Sequence, residues 1–277
     1  MKKILGGSMK ISLSAAWDET KAILARDGRL FVAVALALLV LPGIVLDVSM
    51  PTAVPGEMPP PGGWMAIGAV AVALSLAGQL ALIRLALGTG TSVGDAITHG
   101  FKRLLPYVGA ILMWMLPLIL IAVGLYSAAG IGSETPRGAP ALGFLLIVFG
   151  GVYFAIRLLL SSAVASAEAV GSPTILKRSW ALGRGNWWRL FAFTLLFAIT
   201  LMVLLSAVQA VFGSIVSAAA GGLKPWSLGA LVVALVSQVI SAAASVIFFV
   251  MLARMYRQVA GAADGAAVET GVPKSGM

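Results

Sequence analysis

Residues 172–191 read SPTILKRSWALGRGNWWRLF, and the reading of this stretch decides the rest. It is the least hydrophobic long interval in the second half of an apolar chain. Ser172 suits an N-cap, Pro173 suits the first helical position where its missing N–H costs nothing, and Gly183 can take the left-handed conformation that ends a helix. At about 100° per residue, Ile175, Leu176, Ser179, Trp180 and Leu182 fall on one arc, with Lys177, Arg178 and Ala181 opposite. Trp187, Trp188 and Arg189 then lead into a long apolar run, as aromatic and basic residues do at headgroup level. The stretch is expected to form a short helix on a membrane surface, with Ile175, Leu176 and Trp180 toward the acyl chains and Lys177 and Arg178 facing anionic lipid.

Composition agrees with a membrane setting. Hydrophobic residues make up 60% of the 277, charged residues 10%, and the mean hydropathy is +1.02, whereas soluble domains are roughly 45–50% apolar and 25% charged. The apolar runs are about twenty residues long, which fits spanning helices and not the roughly ten-residue alternating strands of an outer-membrane barrel. The expected fold class is therefore all-α, a polytopic protein with six transmembrane helices arranged as three hairpins. The net charge of +9 sits beside apolar runs and forms no soluble basic stripe, so anionic membrane lipid is the expected partner and nucleic acid is not. With no cysteine and one histidine, cysteine-based metal sites, thiol nucleophiles and two-histidine sites are excluded. No cofactor is called for.

Taken in order, residues 1–11 read as a mobile basic leader without the apolar core of a signal peptide. Residues 12–27 then form a first amphipathic helix, broken at Gly28-Arg29 before a span over 30–46. Spans follow over 64–87, 106–128, 141–164 with an extension to Val170, 190–213 and 228–251. A second amphipathic helix covers 92–104, and residues 261–277 read as a disordered tail. The three amphipathic segments start roughly eighty residues apart and each precedes two spans, which suggests like units at 12–91, 92–171 and 172–260 within a membrane domain over 12–260. Each unit enters its first span through a related tripeptide: Arg29-Leu30-Phe31, Arg103-Leu104-Leu105 and Arg189-Leu190-Phe191. Each return span carries an arginine near its inner end: Arg84, Arg157 and Arg254. Of the basic residues, only Arg137 and Lys224 fall in expected outer loops, so both termini are expected in the cytoplasm of a bacterial inner membrane.

Candidate functional residues form two sets. Lys177, Arg178, Trp180, Trp187, Trp188 and Arg189 are candidate lipid or partner contacts. Arg84, Arg157, Glu168 and Arg254 are candidates for intramembrane polar pairing, because charges deep in lipid are costly and usually face the bundle interior. Arg157 and Glu168 are eleven residues apart, about three turns and 16 Å on a continuous helix, so each needs a partner on another helix. Arg84 or Arg254 is the expected partner of Glu168, and His99 reads as a solvated surface residue. Ser206, Gln209, Gly213 and Ser217, and then Ser237, Ser241 and Ser245, have the composition of helix–helix contacts in lipid.

The segment Glu168-Ala-Val-Gly-Ser-Pro, followed by Leu176-Lys-Arg-Ser-Trp-Ala-Leu-Gly-Arg-Gly-Asn-Trp-Trp-Arg-Leu, resembles the signature of the bacterial membrane-domain family named after glycerophosphoryl diester phosphodiesterases. Some members of that family fuse the membrane domain to a soluble barrel with metal-binding carboxylates and two catalytic histidines. That barrel has no counterpart in this sequence, so the resemblance implies a stand-alone membrane module without the activity. The expected role is a non-enzymatic inner-membrane protein that organises lipids or partner proteins. The second reading is a small transporter whose path is lined by Arg157, Glu168 and the polar residues of the last two spans. Because the chain lacks cysteine, topology is directly testable: single cysteines at Thr52 and Ser133 should react with an impermeant thiol reagent in intact cells, and one at Ser179 should not.

Overall fold

The computed structural model describes residues 10–51, 60–130, 138–215 and 228–269. The expected outer loops, with Thr52, Ser133, Arg137 and Lys224, fall outside the described residues, as do Ser217 and residues 1–9 and 270–277. Helix α1 runs over Leu13–Ser49, its start capped by Ser12, whose hydroxyl accepts from the amide of Ala15. The break expected at Gly28-Arg29 is absent. Glycine in a helix costs only about 1 kcal/mol relative to alanine, and the buried stripe Ile23, Phe31 and Val34 continues through that point. The helix widens instead to a π turn over Leu36–Val40, just before Pro42, where the chain has one N–H fewer to offer.

Helix α2 covers Trp64–Leu87 and α3 covers Val93–Ala129. The second amphipathic segment is thus also continuous with its span, running through both Pro106 and Pro117. After α4, Gly138–Arg157, the chain makes a tight turn at 158–160 before the short α5, Ser161–Ala167. The fourth span does extend to Ala167, but the turn interrupts it and Glu168 is extended, so the three-turn spacing of Arg157 and Glu168 does not hold. Helix α6 covers Ser172–Leu182, α7 covers Trp187–Gly213 with a final π turn, and α8 covers Leu228–Glu269. The stretch read as a disordered tail from residue 261 therefore begins as helix. No strand occurs among the described residues, and six helices are long and apolar enough to cross a membrane. The protein is an all-α, multi-pass membrane protein.

The tightest packing lies at one end, called basal here, where the amphipathic segments gather. The returning helices bring their ends together there: Leu80, Ala81, Leu82 and Ile83 of α2, Ser162 to Ala165 of α5, and Val250, Leu252, Ala253 and Met255 of α8 are all nearly inaccessible. These three elements touch one another, while the first half of α1 packs on α8 and α2, α3 on α2 and α5, and α6 on α3, α5 and α8. Away from the basal end the spans carry many exposed leucines, valines and methionines, such as Leu196, Met202 and Val203 on α7. Lipid tails are as apolar as these side chains, so nothing drives them inward.

Close backbone approach sets the basal packing. A Cβ at Gly100 of α3 would collide with the carbonyl oxygen of Ala77 and crowd the amide of Ala81 on α2. Gly124, on the same helix, has open space around it. Gly100→Ala should lower stability in detergent by about 1–3 kcal/mol, whereas Gly124→Ala should be neutral or slightly stabilising; thermal denaturation of the two variants checks the contrast.

Candidate functional site

Helix α5 is short, and the chain on either side of it is irregular, so its end carbonyls need donors from elsewhere. Helix α3 supplies them. Arg103 donates from Nε to the carbonyl of Ala165 at 2.9 Å, and from Nη2 to those of Glu168 at 2.6 Å and Val170 at 2.7 Å. One turn earlier on α3, His99 Nε2 lies 2.8 Å from the carbonyl of Ser166, so this nitrogen carries the proton. His99 is therefore a strut and not surface decoration. The Ser166 hydroxyl in turn donates to the carbonyl of Leu80 on α2 at 2.9 Å, which ties α2, α3 and α5 into one unit.

A related grip holds the start of the chain. Asn186, buried between α6 and α7, accepts the amide of Ile11 at 2.9 Å, and Arg189 Nη1 donates to the Ile11 carbonyl at 2.6 Å. Gln258 of α8 accepts the Ser12 amide and donates to the Ser12 carbonyl. Ile11 is almost fully buried, so the segment read as a mobile leader is anchored at its last residue. Arg189, a candidate lipid contact, is instead a backbone clamp. Arg103 and Arg189 occupy equivalent places in the repeated tripeptides, and each grips the backbone that precedes an amphipathic helix. Arg29, the third member, is exposed, while Arg254 Nη2 donates to Ala86 at 2.7 Å, just before α3.

Glu168 leaves α5 in an extended conformation, so its carboxylate does not point along the helix toward Arg84 or Arg254. Its Oε1 accepts from Arg178 Nε at 3.1 Å and from the Tyr256 hydroxyl at 2.8 Å. Arg178 is thus an ion-pair partner that fastens α6, not an outward-facing lipid contact. Arg254 pairs with Glu19 at 3.7 Å, and Arg84 stays half-buried on α2. Ser172 also differs from expectation. Gly171 takes the N-cap position, and the Ser172 hydroxyl donates to the carbonyl of Pro106 at 2.7 Å. Its place would be filled by a side chain at Gly109. Gly183 is right-handed, and the positive φ falls at Gly185.

On α6, Ile175, Ser179 and Leu182 are buried and Lys177 is exposed. Because Ser179 is buried, the topology probe on this helix belongs at the exposed Thr174. Trp180 is half-buried against α4, 5.5 Å from the ring of Phe154 and 6.3 Å from that of Tyr153, so it packs on protein and does not dip freely toward acyl chains. Trp187 stacks on Phe191 at 5.1 Å and contacts Tyr153 at 5.6 Å. Trp188 points outward, 74% exposed. Arg157, expected to pair across the bundle, has its guanidinium 4.7 Å from the Trp180 ring, with Nε and Nη1 buried and without a hydrogen-bond partner.

Several concavities open between the spans, and two of them bear on function. One, of about 760 Å³, lies between the start of α1 and helices α7 and α8, and is walled by Phe193, Phe197, Leu204, Ile240 and Ile247. Its two hydroxyls are already occupied, Thr200 donating to Leu196 at 2.8 Å and Ser14 lying 3.2 Å from Ser12 Oγ. A second, of about 400 Å³, lies between α1, α2 and α8 and contains Ser75, Gln79, Gln238, Ser241 and Ser245. Gln238 donates to Asp47 at 2.7 Å and Gln79 to the hydroxyl of Tyr107 at 3.2 Å.

Arg103, Asn186, Gln258 and Tyr256 were not foreseen as functional; the repeated tripeptide marks the first, and the Gly-Asn-x-Trp of residues 185–188 marks the second. Residues 11–259 match a family model described as a domain of unknown function, DUF7847. No curated protein and no solved structure matches the chain. The hydrogen bonds predict an order of stability. Arg103→Gln strands several carbonyls at about 1–3 kcal/mol each, so it should be far more damaging in detergent than Glu168→Gln, whose half-exposed ion pair is worth about 1 kcal/mol or less. Equal thermal shifts for the two would contradict this assignment.

Proposed function

We propose, for a chain that belongs to the DUF7847 domain family, that it is a non-enzymatic, multi-pass protein of the bacterial inner membrane that organises lipids of the cytoplasmic leaflet. The observation that carries this reading is the groove between α1, α7 and α8. From Ala192 to Leu204 it follows α7 for about 18 Å, slightly more than half of the roughly 30 Å hydrocarbon core of a bilayer. Its volume lies within the roughly 300–1,000 Å³ of small-molecule sites. With both hydroxyls satisfied internally, the lining calls for hydrocarbon, and one leaflet's length of hydrocarbon is an acyl chain. Trp17, 43% exposed at the basal mouth with Lys21 stationed 5.9 Å over its ring, suits the headgroup level.

The positive-inside rule supports a cytoplasmic basal face, since Arg29, Lys177, Arg184 and Arg257 all cluster there. Both termini then lie in the cytoplasm. The resemblance of residues 168–190 to the membrane domain of the phosphodiesterase family belongs to this same reading. The second reading, a small transporter, draws on the polar cleft of α1, α2 and α8. Glu168 has no part in that cleft, being held by Arg178 and Tyr256.

Filling the groove tests the reading. Ala192→Phe with Ala244→Phe, both on the groove wall, should reduce the phospholipid that co-purifies, measured by mass spectrometry, by at least one lipid per chain. Circular dichroism and thermal stability should stay unchanged. Unaltered lipid retention in the double variant would contradict the groove as a lipid site.

A further inference from the structure

We propose that Arg157, backed by the ring of Trp180, is the receptor for a phosphate anion, supplied either by a phospholipid headgroup or as free phosphate. The inference rests on the reading of the basal face as headgroup level, and it concerns a different place from the groove, between α4 and α6 and not between α7 and α8.

Glu168 is the only acidic residue in the sequence between residues 138 and 260, and Arg178 and Tyr256 engage it. Arg157 stands in that acid-free stretch with two buried nitrogens that lack partners. A guanidinium stays protonated at any physiological pH, so it cannot escape the cost of burial by losing its proton, as a lysine could. A planar cation over an indole face is held in orientation and partly compensated, yet the N–H groups in its plane are left without acceptors. Among the described residues no acceptor meets them, and an anion would supply one.

The surroundings select its chemistry. Arg157 ends α4 and is half-buried, with Nε and Nη1 covered. Lys177 lies three residues before Trp180, at the edge of the polar arc about 60° round α6 from it, and Arg184 follows in the turn after the helix. Both are exposed. Trp180 is itself fixed by Phe154 and Tyr153, and Gly183 brings the backbone of α6 against the Arg157 carbonyl, where a Cβ would sit at 3.0 Å. The cation is therefore oriented by an aromatic wall, and α6 and the turn after it carry two further cations. Guanidinium groups match the tetrahedral oxygens of phosphate in charge and hydrogen-bond geometry, and phosphate is the anion that a headgroup layer presents.

The test uses the full chain in bilayer nanodiscs and spin-labelled lipids. Wild type should immobilise spin-labelled phosphatidylglycerol about five- to tenfold more than spin-labelled phosphatidylcholine. Arg157→Met should bring that ratio close to one while leaving immobilised phosphatidylcholine unchanged, and Lys177→Gln should lower it only partly. Adding millimolar inorganic phosphate at constant ionic strength separates the sources: loss of the immobilised fraction assigns the site to free phosphate, and persistence assigns it to the lipid diester. Arg157→Met should melt no lower than wild type in zwitterionic detergent, because the charge it removes had no partner. An unchanged ratio in Arg157→Met, or a lower melting point with loss of both lipids, would overturn the proposal and make Arg157 a strut. A wild type without headgroup preference would also overturn it, while the groove, which is blind to headgroups, would stand.

Discussion

The hydrogen bonds from Arg103 to three backbone carbonyls are the interaction on which the rest of the structure depends. A protein in a membrane must satisfy its backbone internally, because hydrocarbon offers no partners. The extended residues after Ala167 break that rule locally, and Arg103 with His99 restores it from a neighbouring helix. The return is geometric. With its end carbonyls satisfied, α5 lies against α2 and α8, and the three returning elements form a closed core. Asn186, Arg189 and Gln258 repeat the device at Ile11 and Ser12, so the first amphipathic segment is fastened to the last third of the chain.

A core concentrated at one end has a consequence for the other. The basal helices are locked by close backbone approach, as at Gly100 against Ala77, while the spans beyond them diverge and leave side chains such as Leu196 and Met202 uncovered. In water such a shape would collapse. In a bilayer, acyl chains would cover these side chains, so their exposure carries no penalty. The stacking of Phe193 on Phe248 at 5.2 Å keeps the wall between α7 and α8 rigid, which allows the groove beside it to remain open.

Spans, helix starts at Ser12 and Ser92, and the basic residues at the basal end were legible in the sequence because each follows from local composition and capping chemistry. Where the reading failed, tertiary packing outweighed a local signal. Gly28 and Pro106 look like breaks, yet a continuous buried stripe carries α1 and α3 through them. The turn at 158–160 has no glycine or proline to announce it, so α4 and α5 read as one helix and Arg157 and Glu168 as residues of one face. Arg178 sits opposite the apolar arc of α6 and was read as facing lipid, but the extended Glu168 brings an acid round to meet it. Arg189 was placed at the headgroups by the tryptophans beside it, and nothing local shows that the Ile11 carbonyl lies within its reach. Long-range partners of this kind are set by how the units close on one another.

The central claim is that the protein holds hydrocarbon of the basal leaflet between α7 and α8. The most direct measurement is photo-crosslinking of the full chain in native membranes with phospholipids that carry a diazirine along the acyl chain, followed by peptide mapping. The account predicts adducts concentrated on residues 192–204 and 240–251, at a density several-fold above that on the equally exposed faces of α3 and α4. Adducts spread evenly over all six spans would show that these side chains meet only bulk lipid, and would contradict the claim.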